Sequence, residues 1–302
     1  MAKSLEHQTL DSPPPAGPRF SVMTTPTATP PPAPRQLYES ITATAADIAA
    51  LLTAGADPAT RIPRSTWNVG EAAAHLALAN ELMAELAAGV DRPYGDGTPE
   101  SLAAANADSL AEFTERDPEV LAGAVVAQAQ AFVTAAATTT AAAAAGRPGD
   151  PPLLTPMGPL DLDTLGSYLL THMLGHGWDL ARALRQPHMI DRQRVELCLP
   201  FLITAMPRVL DHGSVGRLSA TYELRLRGGG PRFSAAFDEG TLTVTEGAPP
   251  RPDCTIVTEP VTFLLIALGR CSPWGAMARG GILAWGRRPL LAPAFPGYFR
   301  AP

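Results

Sequence analysis

The chain has 302 residues, enough for two domains of ordinary size and a substantial buried core. A net charge of −6 with only 17% charged residues leaves no electrostatic case for binding nucleic acid. Cys198, Cys254 and Cys271 are odd in number and lack Cys-x-x-Cys spacing, which excludes a disulfide framework and a thiolate zinc site. The plain reading is a cytoplasmic protein with reduced thiols.

Residues 1–35 are rich in Pro, Thr and Ser, with Pro13-Pro14-Pro15 and Pro30-Pro31-Pro32. No apolar stretch follows Lys3, so the segment does not read as a secretory signal. It reads as a disordered tail, within which Met23 is an alternative start. The first helix is predicted over Gln36 to Ala54 and ends at Gly55. A second opens at Asn68, with Glu71 three residues on completing a capping-box pattern, and runs to about Ala88. Its apolar stripe of Ala72, Ala79, Leu82 and Leu86 includes His75. A third helix covers Pro99 to Ala145, broken near Asp117-Pro118. Within it, Leu121 to Ala145 reads as too weakly hydrophobic for a membrane span. Residues 146–152 (Gly-Arg-Pro-Gly-Asp-Pro-Pro) make a firm break. A fourth helix starts near Asp161 and puts Leu165, Leu169, His172, His176 and Leu180 on one face.

The texture changes after about Asp191. One more helix, Arg192 to Leu210, precedes strands. Leu218, Ala220, Tyr222, Leu224 and Leu226 alternate with polar residues over Arg217 to Arg227, the period of a half-buried strand. Phe233, Ala235 and Phe237 repeat the pattern, followed by strands over Thr241 to Thr245 and Asp253 to Thr258. An apolar helix from Pro260 to Leu268 comes next. The expected architecture is therefore mainly α plus α+β. A disordered tail (1–35) leads into a four-helix bundle (36–190), and a small α+β domain with an antiparallel sheet follows (191–302).

Chemistry concentrates in three histidines. His172 and His176 stand at i and i+4, on one helix face with Cβ atoms about 5–6 Å apart. His75 lies on the inward face of another helix, so the three imidazoles can meet in the bundle core. Three neutral imidazoles leave a divalent cation, zinc first among candidates, with its full +2 charge and an open position, the pattern of a catalytic site. Such an ion lowers the pKa of a bound water or thiol toward neutrality. The plainer alternative is that each histidine hydrogen-bonds in the core. Asp179 has two readings, orienting a ligand imidazole or pairing with Arg182 at i+3, and the pairing is preferred. Trp67 and Trp178 read as core anchors, and His7, His188 and His212 as solvated. The cysteines read as filler. Arg270, Arg279, Arg287 and Arg288 read mostly as a solvated face, with a clamp for an anionic group as the alternative.

Several stretches resemble the mycothiol-dependent maleylpyruvate isomerase family, a branch of the DinB-like metal-binding bundles. They are residues 66–76, from Thr66-Trp67-Asn68 to His75-Leu76, and residues 176–182, from His176-Gly177-Trp178-Asp179 to Arg182. The C-terminal part resembles a sterol-carrier-like domain in Asp253 to Ile256, Leu264 to Arg270 and Gly280 to Gly286. The resemblance implies metal ligands at His75, His172 and His176 and mycothiol as thiol cosubstrate. In the isomerases it places a carboxylate where this chain has His172. Metal binding tolerates that departure, and the isomerase assignment is weakened by it.

Two classes of function follow. The first is a metal-dependent enzyme, transferase or isomerase, that joins a low-molecular-weight thiol to a small electrophile or isomerises it. A thiol-independent lyase or cyclase on the same bundle is a variant of it. The second is a non-catalytic carrier of an apolar ligand. Expected partners are a small-molecule substrate and the thiol, with no nucleic acid and no membrane, in a monomer or homodimer. No catalytic side chain can be named from the sequence.

Overall fold

A computed structural model describes residues 34–96, 98, 101–144 and 152–300. The tail expected over residues 1–35 lies almost wholly outside the described residues, as does most of the break at residues 146–152. Helix α1 (Pro34–Thr53) buries Ile41, Ala45, Ile48 and Leu52 at helical spacing. Helix α2 (Val69–Ala87) starts at the predicted capping box, and both of its hydrogen bonds are made. The predicted long third helix is two: α3 (Leu102–Glu112) and α4 (Pro118–Ala144). Asp117 forces the restart by accepting from the Glu119 amide at 2.8 Å, ahead of a proline that suits the first helical turn. A short hairpin, β1 (Leu153–Thr155) and β2 (Gly158–Leu160), then leads into α5 (Leu162–Ala183). Helices α1, α2, α4 and α5 pack against one another as the four-helix bundle.

Small residues set how close these helices come. Ala72, Ala73 and Ala74 on α2 are fully buried, and a Cβ on Gly166 of α5 would lie 3.0 Å from Leu37 of α1. On α4 the stripe Leu121, Val125, Ala129, Phe132 and Ala136 faces the core, each fully buried. Contrary to expectation, Pro118–Thr140 is long and apolar enough to cross a membrane by length and composition alone, at mean hydropathy 1.6. Its many alanines raise that average. About a third of its most apolar 18 residues is buried (33%), on the bundle side, while Gln130, Thr134 and Thr138 face outward. That division is the pattern of a bundle helix.

After the bundle come α6 (Arg192–Ala205), a 3₁₀ turn at Met206–Val209 and α7 (His212–Val215). A five-stranded sheet is built from β3 (Ala220–Leu226), β4 (Arg232–Asp238), β5 (Thr241–Glu246), β6 (Cys254–Thr258) and β7 (Ile282–Trp285). Between β6 and β7 lie α8 (Pro260–Ala267) and α9 (Pro273–Ala278). The strand order is β5-β4-β3-β6-β7. The expected antiparallel sheet is in fact mixed, because β3 and β6 run parallel with Tyr222 opposite Cys254. Alternation fixes which face a strand buries, not its direction. Direction here is set by residues 247–253, where Pro249, Pro250 and Pro252 carry the chain from edge strand β5 to the far side of β3. Asp253 seals the arrival: its carboxylate accepts from the Thr221 amide at 3.0 Å. The inner face of the sheet, with Tyr222, Leu224, Phe233, Phe237 and Ile256 buried, continues the core.

Candidate metal centre

The bundle brings the three predicted histidines to one point. One ligating nitrogen from each of His75, His172 and His176 lies within 4.8 Å of the others, and among the described residues this is the group fit to hold a metal. The Nε2 atoms of His75 and His172 are 2.9 Å apart, and ring centroids across the trio are 4.6–4.9 Å apart.

Local sequence explains the convergence. The Asn68 and Glu71 hydrogen bonds, both 2.8 Å, fix the start of α2 two turns before His75. On α5 Asp161 caps the helix by accepting from the Thr164 amide at 2.7 Å. Ser167 then ties α5 to α6, donating to the Leu197 carbonyl at 2.8 Å and accepting from the Phe201 amide at 3.1 Å. With both helices anchored, the i,i+4 spacing of His172 and His176 puts both rings opposite His75.

Burial keeps the imidazoles neutral, as metal ligation requires. Desolvation lowers His75 from 6.5 to about 4. His172 is held well below the ordinary imidazole value by desolvation, then by His75 and Arg270. His176 falls the same way, through desolvation, then His172, His75 and Arg270.

The donor set fits a divalent cation. Tetrahedral nitrogens about 2.0–2.1 Å from zinc stand roughly 3.4 Å apart, and the observed separations, from 2.9 Å up to 4.8 Å, bracket that value. Among the described residues the buried Nδ1 of His172 has no hydrogen-bond partner. Three nitrogens with no carboxylate among them suit zinc and its borderline neighbours rather than magnesium or calcium.

Around the cluster, Trp67 lies against two of the rings, at 4.8 Å from His75 and 5.8 Å from His176. Its place just before the cap of α2 makes it a wall of the site as well as an anchor. Asp179 departs from the preferred expectation of pairing with Arg182. Its Oδ2 accepts from Arg270 at 2.9 Å and stands 3.7 Å from Nδ1 of His176. Arg182 lies instead over the Trp178 ring, at 5.9 Å. A guanidinium from the C-terminal part reaches Asp179 first, which periodicity within one helix could not reveal.

Arg270 is thus separated from the other three arginines of its sequence cluster. Arg287 pairs with Asp253 at 2.8 Å, Arg288 donates to the Ser219 carbonyl at 3.1 Å, and Arg279 is exposed. His188 is exposed yet touches Trp178 at 4.6 Å and accepts from the Ile190 amide, and His212 is exposed. Cys198 and Cys254 are buried and Cys271 is half-buried. The cluster opens into a cleft of about 1370 Å³, lined from both halves of the chain.

Fold and site together define a four-helix bundle with a three-histidine centre, joined to an α+β part that closes over it. Residues 38–181 match the family described as the mycothiol maleylpyruvate isomerase N-terminal domain. Over that stretch the chain is similar to this family. No curated protein matches the chain by sequence. The crystal structure of the mycothiol-dependent maleylpyruvate isomerase is similar over 84% of this chain and 93% of its own length, at 14% identity and TM-score 0.46. The UbiJ-SCP2 ubiquinone synthesis protein is similar over 32% of this chain and 84% of its own, at 15% identity and TM-score 0.26. The inverting sec-alkylsulfatase Pisa1 from Pseudomonas sp. is similar over 46% of this chain, at 14% identity and TM-score 0.30. This chain spans only 24% of that sulfatase's length.

Proposed function

We propose that the chain is a metal-dependent enzyme that uses a low-molecular-weight thiol of the mycothiol type. It transfers the thiol to an electrophilic small molecule, or isomerises that molecule by reversible addition. The observation that carries this reading is the convergence of His75, His172 and His176 in a cleft, with no fourth ligand among the described residues. A purely structural zinc usually has four protein ligands.

A divalent ion held by three neutral imidazoles keeps its +2 charge and an open position, and so stabilises the thiolate form of a thiol near neutral pH. The chain's own residues prepare for that. Burial holds all three imidazoles unprotonated. Asp179, fixed by Arg270, faces Nδ1 of His176 and leaves Nε2 for the cluster. Trp67 covers one side of the rings. In this reading residues 36–190 act as the metal-binding domain and residues 191–302 as a domain that completes the cleft, in a cytoplasmic monomer or homodimer with zinc as the resident ion.

The test is metal analysis of the purified chain, then turnover with mycothiol and a panel of electrophiles: an epoxide, a cis-unsaturated dicarboxylate and an aryl halide. About one ion per chain is expected, with turnover that disappears on omitting the thiol or chelating the metal. Full turnover in thiol-free buffer would replace the thiol mechanism with direct action on the substrate. A chain that binds no metal and turns over nothing would end the enzyme reading.

A further inference from the structure

The cleft is much larger than the histidine cluster requires. Its volume of about 1370 Å³ exceeds the roughly 300–1,000 Å³ of an ordinary small-molecule site, so a thiol cosubstrate leaves much of it free. Away from the imidazoles its wall is hydrocarbon. Leu224 and Ile256 come from the inner face of the sheet, Phe263 and Ile266 from α8, and Phe295 and Phe299 from the C-terminal segment. A small polar substrate has nothing to bury against that wall.

The charged side chains of the lining are also one-sided. Arg64, Arg182 and Arg270 face a single carboxylate, Asp179, which Arg270 already engages at 2.9 Å, while Arg300 lies 3.7 Å from Asp211. In a chain of net charge −6, that concentration of guanidinium groups in one cleft attracts an anion. Arg64 holds a left-handed backbone (φ 67°), a conformation that non-glycine residues adopt rarely and that recurs at ligand sites.

We infer that the electrophile taken by this site is an amphipathic carboxylate. Its anionic head lies at the arginines, and its hydrocarbon body, a chain or fused rings, lies against the sheet and α8. The inference rests on the cleft being the reaction site and names the substrate class for it.

The test uses the full metal-loaded chain with 11-(dansylamino)undecanoic acid as fluorescent probe. The probe is displaced by straight-chain carboxylates of about four to fourteen carbons and by primary alcohols of the same lengths, and the expected gain is about fourfold in affinity per methylene before levelling off. At equal length the carboxylate should bind at least about tenfold tighter than the alcohol, and Arg64→Gln should narrow that gap. Phe263→Ser should flatten the dependence on length. Ala267→Glu should do the same from an exposed position that folding tolerates, since Ala267 also lines the cleft.

A flat length series on metal-loaded chain overturns the inference and leaves the metal-centre reading standing. A steep series on a chain that binds no metal overturns the assignment of the ligand as substrate, and makes the cleft a carrier site. Equal affinity for acids and alcohols overturns the anionic head. A steep series unchanged by both variants places the hydrocarbon elsewhere and overturns the inference as well.

Discussion

Asp179 on α5 and Arg270, three residues past the end of α8, meet at 2.9 Å, and the same aspartate oxygen stands 3.7 Å from Nδ1 of His176. The pair is four-fifths shielded from water, with side chains 22% and 18% exposed. One carboxylate therefore connects the C-terminal part of the chain to an imidazole of the bundle. Partners of this kind orient a ligand ring and raise its basicity, and their removal costs about 10–100-fold in metal affinity. Arg270→Ala and Asp179→Asn should each weaken metal binding by about that factor, read by titration against a competing chelator. A pair that served stability alone would lower the thermal midpoint and leave the metal dissociation constant where it was.

The cluster itself makes a simpler demand. Replacing His75, His172 or His176 by Ala removes one of three nitrogens, and metal content should drop from about one ion per chain to a small fraction of that. His188→Ala and His212→Ala, both at exposed positions, should leave it unchanged. Plasma emission spectrometry on the five variants separates the outcomes. Full occupancy in His176→Ala would place the ion at another site.

Periodicity and capping made the bundle legible before any coordinates. Asn68 with Glu71 marked the start of α2, Asp161 that of α5, and the i,i+4 histidines fell on the inward stripe, so the trio could be named. These are signals within a few residues of one another. What escaped depends on contacts between distant segments. The parallel pairing of β3 with β6 is fixed by the path of residues 247–253, about which strand alternation is silent. The four-residue strand β7, bounded by Gly280-Gly281 and Gly286, and the three-residue strands β1 and β2 are too short to show a period. Arg270 looked like one of four similar arginines, because its distinction is a carboxylate 91 positions away. Leu121 to Ala145 reads as too weakly hydrophobic for a span, yet Pro118–Thr140 is apolar enough by length and composition because its alanines keep mean hydropathy high without long side chains.

The burial of the imidazoles predicts how the metal-free chain responds to acid. His75 titrates at about 4 when folded and near 6.5 when unfolded. Below pH 6.5 the unfolded chain therefore takes up a proton that the folded chain refuses. The folded state is favoured fully above that pH and loses the advantage as pH falls toward 4. For His75 alone the loss is on the order of 3 kcal/mol, and His172 and His176 shift in the same direction. Urea unfolding of the chelated chain at pH 7.5 and 4.5 measures it, and His75→Gln should flatten the dependence. Equal stability at the two pH values in the native sequence would show the rings to be solvated.

Gly175 offers a test of whether the C-terminal part must close on the bundle for the centre to form. It precedes His176 on α5, and a Cβ there would lie 3.1 Å from Cδ1 of Leu268 and 3.9 Å from Nη2 of Arg270. Alanine gains about 1 kcal/mol of helix propensity over glycine, and the end of a leucine side chain can yield a few tenths of an ångström. Gly175→Ala should therefore change stability by less than about 1 kcal/mol. Valine adds two methyl groups to the same contact, and overpacking of this kind costs about 1–3 kcal/mol. More telling is its direction: the methyls push Leu268 and Arg270 off α5 and draw the guanidinium from Asp179. Gly175→Val should then weaken metal binding about as much as Arg270→Ala, and the double variant should be little worse than either. Denaturation midpoints and chelator titrations on the four chains decide it. If valine lowers stability while the metal dissociation constant holds, the centre belongs to the bundle alone and the approach of Arg270 does not tune it.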